Sequence, residues 1–174
     1  MDLPAPLAKP ISPTEPEPDL APLQRSVGRF HDWESAEIEG ELPRGLAGTL
    51  IRTGPGLLER FGSRLTHSFE ADGALTALRL SGDGTADVSV RVVESPGYRE
   101  EEAAGRALYG SAAPRWRRML NNLRGKAKQT GNTNVMHWQG RTFALMEGAA
   151  PIEVDHATLQ TRDVADFGGA LTGA

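Results

Sequence analysis

The stretch that decides the fold is Gly131–Thr161, "GNTNVMHWQGRTFALMEGAAPIEVDHATLQT". "NVMHW" and "RTFALME" read as a pair of strands around the tight turn Gln139-Gly140. "PIEVD" and "TLQT" follow as a further short strand pair. One carboxylate, Glu147, closes the most apolar strand of the stretch, a place where an ionised group is costly to bury without a partner.

The same grammar holds upstream. "GTLIRTGP" reads as a short apolar strand stopped by Gly54-Pro55. "LTHSFEADGALTALRL" reads as two strands around a turn at Asp72-Gly73, with Leu75 and Ala77 alternating against Thr76 and Leu78. "SGDGT" is a hairpin turn. "ADVSVRVV" is the returning strand, with Val88, Val90 and Val92 on one face.

Between the two meanders the pattern changes. "YREEEAAGRALYG" is helix-compatible and acidic near its start, as suits a helix N-terminus. "PRWRRMLNNLRGKAK", Pro114–Lys128, carries six basic residues and no acid. Trp116, Met119, Leu120 and Leu123 fall at i, i+3, i+4 and i+7, one apolar face of a short helix. Pro114 suits its first turn and Gly125 its end. Two readings fit this helix. Either it packs Trp116 and Leu120 on the sheet, or it dips its apolar face into a lipid phase, with the basic residues alongside.

The organisation is therefore all-β, a meander, a helical insertion around 99–125, and a second meander. Strands at intervals of about ten residues point to a barrel, sandwich or propeller. Seven of the twelve prolines precede Gln24, so residues 1–36 read as a Pro-rich tail and linker before a domain spanning 37–174. The final "DVADFGGALTGA" reads as a pattern interrupted, leaving a sheet edge open.

Composition excludes several classes. The net charge of −4 argues against a general nucleic-acid binder. Without cysteine there is neither a disulfide framework nor a Cys-based zinc site. Met1–Pro22 lacks the basic start and apolar run of a signal peptide, and no apolar stretch approaches the roughly 20 residues of a membrane span. The expected location is cytoplasmic, with peripheral membrane contact. His31, His67, His137 and His156 show no HxH, HxxxH or HExxH spacing. "SGDGTAD" lacks the later acids of a calcium loop. No glycine cluster has a phosphate-binding context, and no GxSxG elbow is present.

Taken in order, these pieces resemble the carotenoid cleavage oxygenase family. "EGELPRGLAGTLIRTGPG" is similar to its opening signature and "HSFEADGALTALRL" to its "F-DGDG" hairpin. "RVVESPGYREE" corresponds to the Tyr–Glu segment that follows. "GNTNV" resembles "ANTNV", and "ALMEGAAPIEVDHATLQT" resembles the blade that ends in "TL-T". The resemblance covers residues 37 to 174 and leans toward bacterial apocarotenoid oxygenases. "FEADG" for "FDGDG" and "RTGP" for "RNGP" depart from the pattern at turns.

The resemblance implies the N-terminal part of a seven-bladed β-propeller that carries one non-haem Fe(II) on its axis, bound by four histidines. All four ligand histidines are expected beyond Ala174, so no catalytic or metal-ligating residue is expected in this chain, and it binds no iron alone. Glu147 aligns with a glutamate that orients an iron-bound histidine. The implied reaction cleaves a conjugated C=C bond of a lipophilic carotenoid or apocarotenoid with O2. Trp116, Met119, Leu120 and Leu123 would face a membrane near the tunnel mouth. Two alternatives remain open: a non-catalytic fragment without iron ligands, and a lignostilbene-type cleaving dioxygenase.

Overall fold

The computed structural model of the protein describes residues 25–171. The Pro-rich segment that ends at Pro22 lies outside them. Among the described residues there are ten strands: β1 His31–Ser35, β2 Ala47–Leu57, β3 Glu59–Arg60, β4 Ser63–Arg64, β5 Asp72–Ser81, β6 Ala86–Val92, β7 Asn134–Trp138, β8 Arg141–Leu145, β9 Ile152–Val154 and β10 Thr161–Val164. Two helices, α1 Pro96–Ala104 and α2 Arg115–Leu123, separate β6 from β7. The expected insertion around 99–125 is thus present.

Two four-stranded antiparallel sheets result, ordered β1-β6-β5-β2 and β10-β9-β8-β7. The second is a simple meander. The first is closed by the N-terminal strand, which pairs with β6 through His31↔Val90 and Glu34↔Val88. The expected boundary at residue 37 therefore does not mark the start of the sheet, since β1 precedes it.

The sheets pack face to face. Leu75, Ala77, Val93, Ala144, Ile152, Val154 and Leu159 form the core between them, with Trp33, Ile51 and Val135 partly buried against it. Alternation along β5 explains the choice: Leu75 and Ala77 point inward, while Thr76 between them is exposed. Trp33 on β1 donates its indole N–H to the carbonyl of Ala157 at 2.7 Å. The Arg79 guanidinium lies 3.9 Å above the Trp33 ring. β2 and β7, each an edge strand of its own sheet, also touch each other. The arrangement is that of two successive propeller blades, with β2 and β7 as their inner strands.

Two local readings need correction. Gly54-Pro55 does not stop β2, which runs on to Leu57 with a register shift between Pro55 and Leu57. β2 is an edge strand, where a missing N–H disrupts no ladder. Asp72-Gly73 is not a turn either. It begins β5, and a 3-10 turn at Ser68–Glu70 precedes it.

The hairpin at "SGDGT" is present. The Asp83 carboxylate accepts from Thr85 N at 2.9 Å and from Thr85 Oγ1 at 2.7 Å. α1 starts earlier than its acidic run implies. Ser95 caps it, accepting from Tyr98 N at 3.1 Å, and Pro96 takes its first position. Glu100–Glu102 then fall in its later half. It ends at Gly105 in the left-handed region, φ 61°.

Candidate active-site framework

The loop Gln129–Thr133, between α2 and β7, passes where the two inner strands meet, and a net of short bonds fixes it. Gly73 N donates to Thr130 O at 2.8 Å, and Thr53 Oγ1 donates to Gly131 O at 2.9 Å. Thr133 donates to Leu145 O from both its amide, at 3.1 Å, and its hydroxyl, at 3.0 Å. Asn132 is buried. Its Nδ2 donates to Ala71 O at 2.7 Å and Phe69 O at 3.1 Å, which ties the 3-10 turn to the same loop. Its Oδ1 is buried with no partner among the described residues.

Glu147 sits on the turn that this loop supports. Thr130 N donates to Met146 Sδ at 3.1 Å, and Gln129 Nε2 donates to Ala150 O at 2.5 Å. The turn is therefore pinned on both sides of Glu147. The strand itself ends at Leu145, and Glu147 is exposed, with no hydrogen-bond partner among the described residues. The expected burial cost at a strand end does not arise within this chain. What remains is a positioned carboxylate with free acceptor oxygens, the group a metal-bound imidazole uses to fix its second N–H.

The four histidines are placed apart from this turn. His31 Nδ1 donates to Asp32 O at 2.7 Å. His67 caps the 3-10 turn, its Nδ1 accepting from Phe69 N at 3.2 Å. His137 on β7 and His156 in the β9–β10 turn both reach the Thr142 hydroxyl, at 2.9 and 3.0 Å, with ring centroids 4.7 Å apart. That pairing was invisible in the sequence, because the strand register makes it and spacing does not. Among the described residues no group of three or more His, Asp or Glu could hold a metal ion.

A buried ionic cluster joins the first sheet to the insertion, and sequence reading missed it. Arg60 Nη1 lies 2.8 Å from both Asp72 Oδ2 and Glu101 Oε2. Lys128 Nζ lies 2.6 Å from Glu101 Oε2 and 2.8 Å from Asp72 Oδ2. It is also 2.7 Å from Asp72 Oδ1, off the hydrogen-bonding direction. Asp72 and Glu101 are almost fully buried. Burial pushes the Asp72 carboxyl up, against the pull of Lys128 and Arg60. Glu101 Oε1 also accepts from the amides of Leu108 at 2.9 Å and Tyr109 at 3.1 Å, which orders the link between the helices.

α2 does not use its apolar stripe for packing. Trp116 is 58% exposed, Met119 64% and Leu123 78%, and only Leu120 is partly buried. The residue that α2 buries is Asn121, whose Nδ2 donates to Leu108 O at 2.9 Å. The reading in which Trp116 packs on the sheet is therefore corrected. Beside α2 runs a groove of about 380 Å³, lined by Phe69, Glu70, Tyr109, Arg118, Asn122 and Lys126 among others. No helix of the described residues is long and apolar enough to cross a membrane.

The family model described as retinal pigment epithelial membrane protein matches residues 25–174. The apocarotenoid-15,15'-oxygenase of Synechocystis is 37% identical over 145 residues, which cover 80% of this chain and 29% of that protein. Resveratrol cleavage oxygenase 1 of Chaetomium globosum is 32% identical over 140 residues, 79% of this chain and 23% of that protein. The crystal structure of cobalt-substituted Synechocystis apocarotenoid oxygenase superimposes with a TM-score of 0.76 at 36% identity, over 86% of this chain and 32% of that one. The chain thus spans about a third or less of the proteins it matches, as two blades of their β-propeller. On this extent of match it belongs to the retinal pigment epithelial membrane protein family, the carotenoid cleavage oxygenases, and corresponds to their N-terminal portion.

Proposed function

We propose that this chain is the N-terminal portion of an Fe(II)-dependent dioxygenase that splits a conjugated C=C bond of an apocarotenoid or carotenoid. One O2 is consumed, and each former alkene carbon becomes a carbonyl. The observation that carries the reading is the 37% identity to an apocarotenoid oxygenase across both blades. Iron, held by histidines beyond Ala174, would supply the chemistry that activates O2. The part this chain plays is positional. Glu147, on its braced turn, accepts the N–H of a metal-bound imidazole, fixing the ring and raising its basicity. The two packed sheets, with their inner strands side by side, provide the rigid frame for that turn.

A stilbenoid substrate is the second reading, favoured by the similarity to a resveratrol cleavage oxygenase. The test is to supply the full-length protein with Fe(II), 18O2 and either an apocarotenal or a hydroxystilbene. Labelled aldehydes from the polyene support the first reading, and labelled aldehydes from the stilbene alone support the second. Absence of both overturns cleavage. A third reading, a non-catalytic piece, is tested by the intact mass of the product in its native cells. A mass near 18.7 kDa would remove catalysis from this polypeptide.

A further inference from the structure

We propose that Gln129 is a positioning residue for the metal site: its side chain sets where the Glu147 carboxylate stands. The inference rests on the reading of Glu147 given above and adds to it the residue that governs its placement. Glu147 is exposed and has no hydrogen-bond partner among the described residues, so its position is that of the turn that carries it.

That turn joins β8 to β9. Gly148 within it takes φ 78° and stands in open space, so packing does not hold the turn at this point. Two side-chain contacts to the loop Gln129–Thr133 hold it instead. Thr130 N donates to Met146 Sδ at 3.1 Å, and a thioether is a weak acceptor. Gln129 Nε2 donates to the Ala150 carbonyl at 2.5 Å. The carbonyl is the stronger acceptor, which makes Gln129 the principal restraint on the side of Glu147 toward β9.

The other end of the Gln129 amide decides what the turn is measured against. Gln129 Oε1 accepts from Gly131 N at 2.9 Å. Gly131 O in turn accepts from Thr53 Oγ1 on β2 at 2.9 Å. A path of hydrogen bonds therefore runs from the inner strand of the first blade, through one amide side chain, to the turn of the second. A carboxylate that must meet an imidazole from elsewhere in the propeller has to be fixed to the shared frame, not to its own hairpin alone. The position calls for an amide, because the side chain must donate at one edge and accept at the other.

The experiment is anaerobic competition for Fe(II) between the full-length protein and a graded chelator, run as a double-mutant cycle over Gln129 and Glu147. Gln129→Met keeps the length of the side chain and removes both bonds. It should lower Fe(II) affinity about tenfold, the low end of the effect of losing support behind a metal-bound histidine, since the Met146 contact remains. Gln129→Glu keeps the acceptor for Gly131 N and loses the donor to Ala150 O, and it should weaken Fe(II) binding as well. In the Glu147→Gln background, Gln129→Met should cause no further loss, because no carboxylate is left to place. Wild-type affinity in both Gln129 variants, with affinity lowered in Glu147→Gln, overturns the proposal alone. A tenfold loss that persists undiminished in the Glu147→Gln background also overturns it, assigning Gln129 to the frame at large. Wild-type affinity in Glu147→Gln itself is the distinct outcome that overturns the reading of Glu147, and the proposal with it.

Discussion

Gly73 and Gly131 are in direct backbone contact across the two blades: a Cβ on Gly73 would stand 2.5 Å from the Gly131 carbonyl oxygen. Gly131 is in the left-handed region, φ 60°, and a Cβ there would lie 2.9 Å from Val93 Cγ1. Both glycines are required, one for close approach and the other for conformation as well.

Gly73→Ala is accordingly expected to be strongly destabilising. The obstacle is backbone, not the end of a flexible side chain, so the blades must separate or the loop Gln129–Thr133 must move. A loss of about 3 kcal/mol is expected, at the upper end of overpacking costs. Urea unfolding of the full-length protein checks this. A midpoint within error of wild type would show that the blades do not approach this closely.

Much of this architecture was legible. Period-two alternation marked β5 and β6, the Gly-bearing turns marked the hairpins, and the i, i+3, i+4, i+7 pattern marked α2. What was illegible depends on distance in space. Asp72-Gly73 has turn composition, yet Gly73 is there because Gly131 lies against it. Pro55 reads as a strand stop, yet β2 is an edge that tolerates it. The stripe on α2 was identified, but only the structure shows that Asn121 takes the inward position. Glu147 was singled out through resemblance alone. Its brace through Met146 and Gln129 joins residues on opposite sides of a hairpin, which no local pattern encodes.

The Arg60–Asp72–Glu101–Lys128 cluster gives a second prediction. Lys128→Met removes one cation and leaves Asp72 and Glu101 sharing Arg60 in a buried site. Truncating one member of such a cluster costs about 3–5 kcal/mol. The double variant Lys128→Met/Glu101→Leu should recover part of that loss, with unfolding midpoints as the readout. A single variant as stable as wild type would remove the cluster from the account of how the insertion is held.

The same cluster predicts a pH effect. Burial raises the folded-state value of Asp72 above its unfolded one. Folding then takes up a proton, so the contribution of this group is most favourable below the ordinary carboxylate range. It declines as pH rises through the window from there to the raised value. Asp72→Asn should flatten that part of the stability profile. An unchanged slope would mean that Lys128 and Arg60 fully offset the burial.

Asp155 behaves in the opposite sense. Its carboxylate pairs with Arg162 and accepts from Thr158 N at 2.8 Å and Ala157 N at 3.0 Å, holding the turn to which Trp33 is bonded. These interactions, Arg162 foremost, lower its value to about 2. Its stabilisation is full above the unfolded value of 3.8 and is lost as pH falls toward about 2. In Asp155→Asn the added acid sensitivity between those limits should disappear, as followed by tryptophan fluorescence during acid titration. Retention of it would assign the transition to another carboxylate.

Glu147 carries the prediction nearest to function, and it rests on the proposed iron site. Because the carboxylate is exposed and has no hydrogen bond or ion pair among the described residues, replacing it should leave folding untouched. Any effect must then come through the group it faces in the full-length protein. Glu147→Gln keeps shape but weakens the acceptor, and its amide can present a donor to the imidazole N–H. Metal affinity is expected to fall about 10–100-fold, the usual consequence of losing a hydrogen-bond partner behind a metal-bound histidine. Glu147→Asp should retain more, since it keeps the charge. The measurement is metal content after dialysis against a graded chelator, read beside the melting temperature. Loss of metal at constant melting temperature of the metal-free forms supports the role. Unchanged metal affinity in Glu147→Gln would make this residue a surface carboxylate on a well-braced turn.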